Sequence, residues 1–144
     1  AAVRAGGGRN HRGNLSDWVM FKDNHLTVLG IAVAVSRARD AWPGRTVHVE
    51  CERLDQVLEA LDAGADAILL DNMSPEEVRA AVLAATDHAS AKGTRRALLE
   101  VSGGITIETV ARYADTGADV VSSGSLTNSS PVLDIGLDID VHQV

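Results

Sequence analysis

The sequence predicts an α/β chain in which parallel strands alternate with covering helices, and three observations carry that prediction. Short β-branched or aliphatic runs, each too short for a helix, alternate with longer segments whose apolar residues recur at helical spacing. Several helix ends are punctuated by capping residues and glycines. The strings "DAGADAILL" (62–70) and "DTGADVVSS" (115–123) use one helix, glycine, strand device twice. Strict alternation implies parallel strands joined by right-handed crossovers, with helices on at least one face.

The elements follow in order. A first strand is expected over 18–21 and a helix over 27–41. A strand over 46–51 leads to a helix over 54–63, which Gly64 closes. After a strand over 67–70, Ser74 is the N-cap and Pro75 the first residue of a helix over 75–85, where its missing N–H costs nothing. A strand over 97–101, a helix over 107–116 closed by Gly117 and a strand over 119–123 complete five βα units of a barrel or an open α/β sheet.

Composition narrows the class. With 144 residues, 45% of them hydrophobic, the chain buries one core and forms one domain or part of one. It has neither a run of about 18 apolar residues nor the pattern of a signal peptide, so a cytoplasmic protein with no membrane partner is expected. A net charge of −7 argues against a nucleic-acid partner, and the single cysteine, Cys51, excludes an internal disulfide. Only "RAGGGRNHRGN", residues 4–14, is locally basic, and it lacks the strand, third glycine and helix of a dinucleotide fingerprint.

Ionisable residues at the strand ends favour the barrel. Lys22, Glu50, Asp71 and Glu100 each follow an apolar run at the same end of a strand. Side-chain alternation puts Lys22 on one face with Met20, Glu50 with His48, Asp71 with Leu69, and Glu100 with Leu98 and Ser102. Inside a barrel these faces point inward, where an isolated charge is costly, so charges of both signs are expected to face one another or a charged ligand. Functional residues of (β/α) barrels lie at this C-terminal end. The turns "EVSGGI" (100–105) and "SSGSLT" (122–127) connect strand to helix through glycine and offer backbone amides to a phosphate. His48 is expected to be a hydrogen-bonded partner on the inward face beside Glu50, Cys51 a small core residue on the opposite side, and His25 a ligand of backbone groups. No pair of histidines has metal-ligand spacing, so no zinc is assigned.

Taken in order and spacing, "GGGRNHR", "LSD", "FKDNH", "VHVEC", "AILLDNMSPEEVR", "ALLEVSGGIT", "YADTGADVVSSGSLT" and "LDIGLDI" resemble the C-terminal barrel of the quinolinate phosphoribosyltransferase family, the carboxylating nicotinate-nucleotide pyrophosphorylases. The resemblance runs from Ala2 to about Ile139. It implies an incomplete (β/α) barrel of the TIM-like type, with 1–144 as the C-terminal part of the barrel domain. The implied reaction is transfer of phosphoribose from phosphoribosyl pyrophosphate to quinolinate, releasing pyrophosphate and carbon dioxide and giving nicotinate mononucleotide for NAD synthesis.

By the same resemblance His11, Arg12 and Lys22 supply cations to the two carboxylates of quinolinate. Arginine grips a carboxylate bidentately, and lysine acts as a point charge. Lys22, Glu50 and Asp71 are implied as the catalytic set, with Glu50 and Asp71 near the ribose hydroxyls and the Mg²⁺ that accompanies pyrophosphate. Ser102, Gly103 and Gly124 correspond to the phosphate cradle. The alkylated pyridinium ring is its own electron sink, so no organic cofactor is implied. At Asn128 the family usually places a histidine that reaches the donor's phosphates, and asparagine brings no charge there. The family also carries an N-terminal sandwich domain and a strand with a threonine-arginine-lysine motif upstream of the position of Ala1, so the chain looks like a fragment, expected to be inactive by itself. A homodimer or higher homo-oligomer, with the partner contributing to the site, is implied. The competing readings are a related phosphoribosyltransferase-like protein of molybdenum metabolism and a non-catalytic phosphate-binding barrel.

Overall fold

A computed structural model describes residues 1–139, so the last five residues of the expected 1–144 unit lie outside the described residues. Five strands, β1 (Val19–Phe21), β2 (Val47–Cys51), β3 (Ala67–Asp71), β4 (Leu98–Ser102) and β5 (Val120–Val121), form one sheet in the order β1-β2-β3-β4-β5. Every neighbouring pair is parallel. The order never reverses, as it would at the switch point of a doubly wound sheet, and this sequential arrangement is that of a partial barrel.

The helices are α1 (Ala2–Ala5), α2 (Asp23–Leu29), α3 (Ile31–Ala41), α4 (Leu54–Asp62), α5 (Pro75–Lys92) and α6 (Ser125–Asn128). One face of the sheet, carrying Val47, Val49, Cys51, Ile68, Leu70, Leu99 and Val101, packs against Ile31, Val35 and Ala38 of α3, Val57 and Leu61 of α4, and Val78, Ala81 and Ala85 of α5. Each fully buried Val, Leu or Ile side chain contributes about 1.5–3 kcal/mol, so this layer is the main source of stability. Cys51 is fully buried in it, and burial pushes its thiol pKa up to about 12, as befits a small core residue. The opposite face of the sheet carries His48, Glu50, Asp71, Glu100 and Ser102.

The structure corrects four element boundaries. The helix expected over 27–41 is two helices, because Gly30 adopts φ +72°, ψ 157° between them and donates to the Leu26 carbonyl at 2.8 Å. The helix expected over 75–85 runs on to Lys92, supported at its start by the Ser74 cap, whose Oγ accepts from the Glu77 N–H. The helix expected over 107–116 shrinks to a 3-10 turn, Val110–Tyr113. Threonine hydroxyls compete there for the backbone: Thr109 Oγ1 accepts from the Thr106 N–H at 2.9 Å, and Thr116 Oγ1 donates to the Tyr113 carbonyl at 2.7 Å. The strand expected over 119–123 is two residues long, and Ser122 and Ser123 turn their hydroxyls to other partners.

The repeated "GAD" of the sequence has a structural meaning beyond ending a helix. Asp66 accepts from the Val47 N–H at 2.7 Å through its side chain and donates its own N–H to the Val47 carbonyl at 2.9 Å. Asp119 repeats this on Leu99 at 2.8 and 2.9 Å. Each aspartate also meets an arginine, Arg39 at 2.8 Å and Arg96 at 2.6 Å. The device satisfies a donor at the start of a buried strand, Val47 of β2 and Leu99 of β4. Asp119→Ala is therefore expected to lower stability by about 1–3 kcal/mol, the cost of an unsatisfied buried N–H, whereas Asp119→Asn retains an acceptor and most of the stability. Urea midpoints of the two variants check this.

Candidate active site

The site forms where the uncovered sheet face meets the C-terminal ends of the strands. Lys22 directly follows β1 and is the N-cap of α2. Its ammonium donates to Glu50 Oε2 at 2.7 Å, and although Lys22 is half exposed, Glu50 is only 9% exposed. That hydrogen bond is the main reason the Lys22 pKa lies above the ordinary lysine value; burial, the next-largest influence, opposes it, and the nearby charges of Glu50, Asp71 and Asp23 add to it. Asp71 ends β3, and its Oδ2 accepts from Asn72 Nδ2 at 2.6 Å. Glu100, within β4 and 3% exposed, accepts from Ser122 Oγ and faces His11 Nε2 at 3.0 and 3.1 Å through its two oxygens.

These groups enclose a cavity of about 230 Å³, with His11, Arg12 and Lys22 opposite Glu50, Asp71 and Glu100, and with Met20, Leu69, Ser102 and Ser122 completing the wall. Strand alternation thus correctly assigns Met20, Lys22, Glu50, Leu69, Asp71, Glu100 and Ser102 to one interior face. Charges of opposite sign do face each other, as Lys22 with Glu50 and His11 with Glu100. Arg12 forms neither an ion pair nor a side-chain hydrogen bond among the described residues. A second cavity of about 580 Å³ shares Arg12, Met20 and Lys22 as a wall and extends over Trp18 and Trp42, with His25 and Arg45 as its further basic groups. The smaller cavity holds the carboxylates, so the chemistry is assigned there, although the larger one is the more conspicuous hollow.

Six of the residues singled out from sequence, His11, Arg12, Lys22, Glu50, Asp71 and Ser102, line the smaller cavity, and three, Gly103, Gly124 and Asn128, do not. Gly103 has φ +85°, and a β-carbon built on it would stand 2.5 Å from Asn72 Oδ1, so the turn after β4 is packed directly against the residue following Asp71. The two glycine turns lie together: Ser123 Oγ donates to the Ile105 carbonyl at 2.5 Å, and Ser125 Oγ reaches the same oxygen at 3.4 Å. Gly124 caps α6, and Asn128 ends that helix, exposed, with its N–H donating to the Gly124 carbonyl at 2.8 Å.

One expectation is overturned. His48 does not bond Glu50. Residues two apart on a strand stand about 6.6 Å apart, and Lys22 reaches Glu50 from the neighbouring strand instead. The His48 ring stacks on Trp18 at 4.8 Å and 10°, its Nδ1 has no partner, and burial, the largest influence, lowers its pKa. His25 does serve a backbone group, its Nδ1 accepting from the Lys22 N–H at 3.1 Å. Sequence reasoning found Glu100 as a strand-end charge but missed Ser122 as its partner and Trp18 as the ring beside His11 and His48. Ser122 is legible in the sequence, since it follows β5 directly and stands two residues from Val120, the strand partner of Glu100.

Fold and site together define part of a (β/α) barrel with a mixed-charge cavity at the C-terminal ends of its strands. The chain belongs to the family described as quinolinate phosphoribosyl transferase, C-terminal domain, whose model matches residues 1–138. It is 40% identical over 143 residues to a probable carboxylating nicotinate-nucleotide pyrophosphorylase of Methanocaldococcus jannaschii, a match covering 99% of this chain and 50% of that protein. The carboxylating nicotinate-nucleotide pyrophosphorylase of Homo sapiens is 39% identical, over 96% of this chain and 46% of its own. The crystal structure of the nicotinate-nucleotide pyrophosphorylase of Ehrlichia chaffeensis superposes with a TM-score of 0.84 at 42% identity, covering 96% of this chain and 48% of that one. The chain spans about half the length of the relatives it matches.

Proposed function

We propose that the whole protein transfers phosphoribose from phosphoribosyl pyrophosphate to the ring nitrogen of quinolinate and releases the adjacent carboxylate as carbon dioxide, giving nicotinate mononucleotide. The observation that carries this reading is the cavity in which Arg12 and Lys22 stand opposite Glu50 and Asp71, in a chain of this family. Breaking the bond between the ribose carbon and pyrophosphate leaves developing positive charge on the sugar, which Glu50 and Asp71 stabilise from fixed positions. The ring nitrogen's lone pair forms the new bond. The positive ring then accepts the electron pair of the breaking carbon–carboxylate bond, and a proton takes the carboxylate's place. Arg12 and Lys22 hold the dicarboxylate in register, and no protein nucleophile takes part.

Among the described residues no group of three or more metal-ligating side chains exists. The carboxylate oxygens of Glu50 and Asp71 nevertheless suit Mg²⁺, which keeps most of its ligands as water and phosphate oxygens. Among the described residues Asp71 has Asn72 alone as a side-chain partner, so it is the better placed of the two. Such an ion would neutralise the pyrophosphate leaving group. Among the described residues no helix is long and apolar enough to cross a membrane. A cytoplasmic homodimer, or a higher homo-oligomer, is the assembly we infer.

Titrating the whole protein with phosphoribosyl pyrophosphate plus quinolinate or nicotinate tests the reading. Pyrophosphate and carbon dioxide are expected in equal amounts with quinolinate, and neither with nicotinate. Equal use of nicotinate, or no release with quinolinate, overturns it.

A further inference from the structure

We propose that Glu100 is a positioning residue: through His11 it seats the basic loop that presents Arg12 to the cavity. The statement about Arg12 and its substrate rests on the function proposed above, but the anchoring of the loop stands on geometry alone.

Residues 9–17 have no helix or strand, and their hydrogen bonds are local: Gly13 and Asn14 donate to Asp17, and Ser16 donates to Asn14. Among the described residues, the contact between His11 Nε2 and Glu100 is the one hydrogen bond that ties residues 1–17 to the rest of the protein. A carboxylate only accepts, so His11 Nε2 carries the hydrogen. The other end of this tie is rigid. Glu100 sits within β4, in register with Leu69 of β3 and Val120 of β5, and Ser122 Oγ holds one of its oxygens. Trp18 steadies the imidazole from the side, with its ring edge-to-face with His11 at 5.1 Å and 80° and stacked on the buried His48 at 4.8 Å and 10°.

The chemistry argues that Glu100 works through His11 and not on the substrate. A carboxylate in direct contact with a dicarboxylate is repulsive, and both Glu100 oxygens already have partners in the protein. Arg12, the next residue along the loop, lines both cavities and has no side-chain partner among the described residues, so its direction depends on the anchor beside it. A bidentate arginine grip tolerates little misplacement, and an error of about 1 Å costs on the order of a hundredfold in rate.

The test uses Glu100→Ala and Glu100→Gln in the whole protein, with His11→Ala removing the same tie from its exposed end without touching the core. Two readouts are taken. Limited trypsin digestion without substrate should cut after Arg9 and Arg12 about tenfold faster in Glu100→Ala and His11→Ala, and less so in Glu100→Gln, whose amide oxygen still accepts. Steady-state kinetics should show a quinolinate KM raised about tenfold or more with the phosphoribosyl pyrophosphate KM unchanged, and Glu100→Ala should add nothing further in a His11→Ala background. Unchanged trypsin cleavage in Glu100→Ala and His11→Ala alike overturns the anchor. An equal loss in kcat and both KM values, or full additivity of the two substitutions, overturns the link to Arg12. If the wild-type protein does not use quinolinate, the functional reading fails, and the trypsin arm still decides the anchor.

Discussion

Replacing Lys22 with alanine is expected to cut quinolinate turnover by the whole protein by about one to two orders of magnitude while leaving the fold in place. Among the described residues Lys22 is the one cation that lines both cavities and also touches a cavity carboxylate, at 2.7 Å from Glu50 Oε2. Its loss removes a charge-assisted contact to substrate, about 1.5–3 kcal/mol. It also leaves the nearly buried Glu50 without its counter-charge; for a pair buried on both sides that loss costs about 3–5 kcal/mol. Lys22 is half exposed and solvent screens its ammonium, so the stability cost falls below that range, toward about 1 kcal/mol, whereas the loss in turnover keeps its full size. At about 1.4 kcal/mol per factor of ten, kcat/KM should fall by about one to two orders of magnitude. Pairing raises the Lys22 pKa, so the pair's contribution to stability is complete at neutral pH and disappears only as pH rises through that elevated value. Pyrophosphate release together with circular dichroism melts checks both halves. Normal quinolinate KM and kcat in Lys22→Ala would remove the clamp from the site.

Gly103→Ala should be the most damaging small substitution in the chain. At φ +85° an alanine pays the left-handed penalty of about 1–2 kcal/mol, and its β-carbon would lie 2.5 and 2.6 Å from the Asn72 side chain and 2.6 Å from the Asn72 backbone nitrogen. Backbone cannot rotate away as a flexible side chain can. Asn72 is itself held at φ 55°, with its N–H donating to the Ser102 carbonyl at 3.0 Å. Overpacking adds about 1–3 kcal/mol, so a total near 3 kcal/mol is expected, and the displaced Asn72 carries Asp71 with it through their 2.6 Å hydrogen bond. Gly104→Ala is the control: at φ +61° with open space around it, only the left-handed penalty applies. Urea denaturation of the two variants separates the clash from the backbone cost, and equal midpoints would mean that the turn yields without resistance.

Much of this architecture is legible in the sequence because it depends on local backbone geometry. Alternation along a strand has a period of two whatever surrounds it, so the interior assignment of Lys22, Glu50, Asp71 and Glu100 follows from their spacing to Met20, His48, Leu69 and Ser102. Capping works the same way, as at Ser74, where donor and acceptor lie within one turn of each other. The helix expected over 27–41 went astray on Gly30, whose positive φ an apolar period does not register. The helix over 107–116 was lost to hydroxyls of Thr109 and Thr116 that bond the backbone more readily than helical spacing suggests.

Sequence by itself therefore determined the order of strands and helices, the face on which each charge stands, and the motifs that resemble the family. Only the tertiary structure decided the partners. His11 meets Glu100 across 89 residues, Lys22 meets Glu50 across 28, and His48 turns to Trp18 instead of its strand neighbour. A backbone period sets a side chain's direction, but its partner depends on which strand lies alongside and on which groups burial forces to find a bond there.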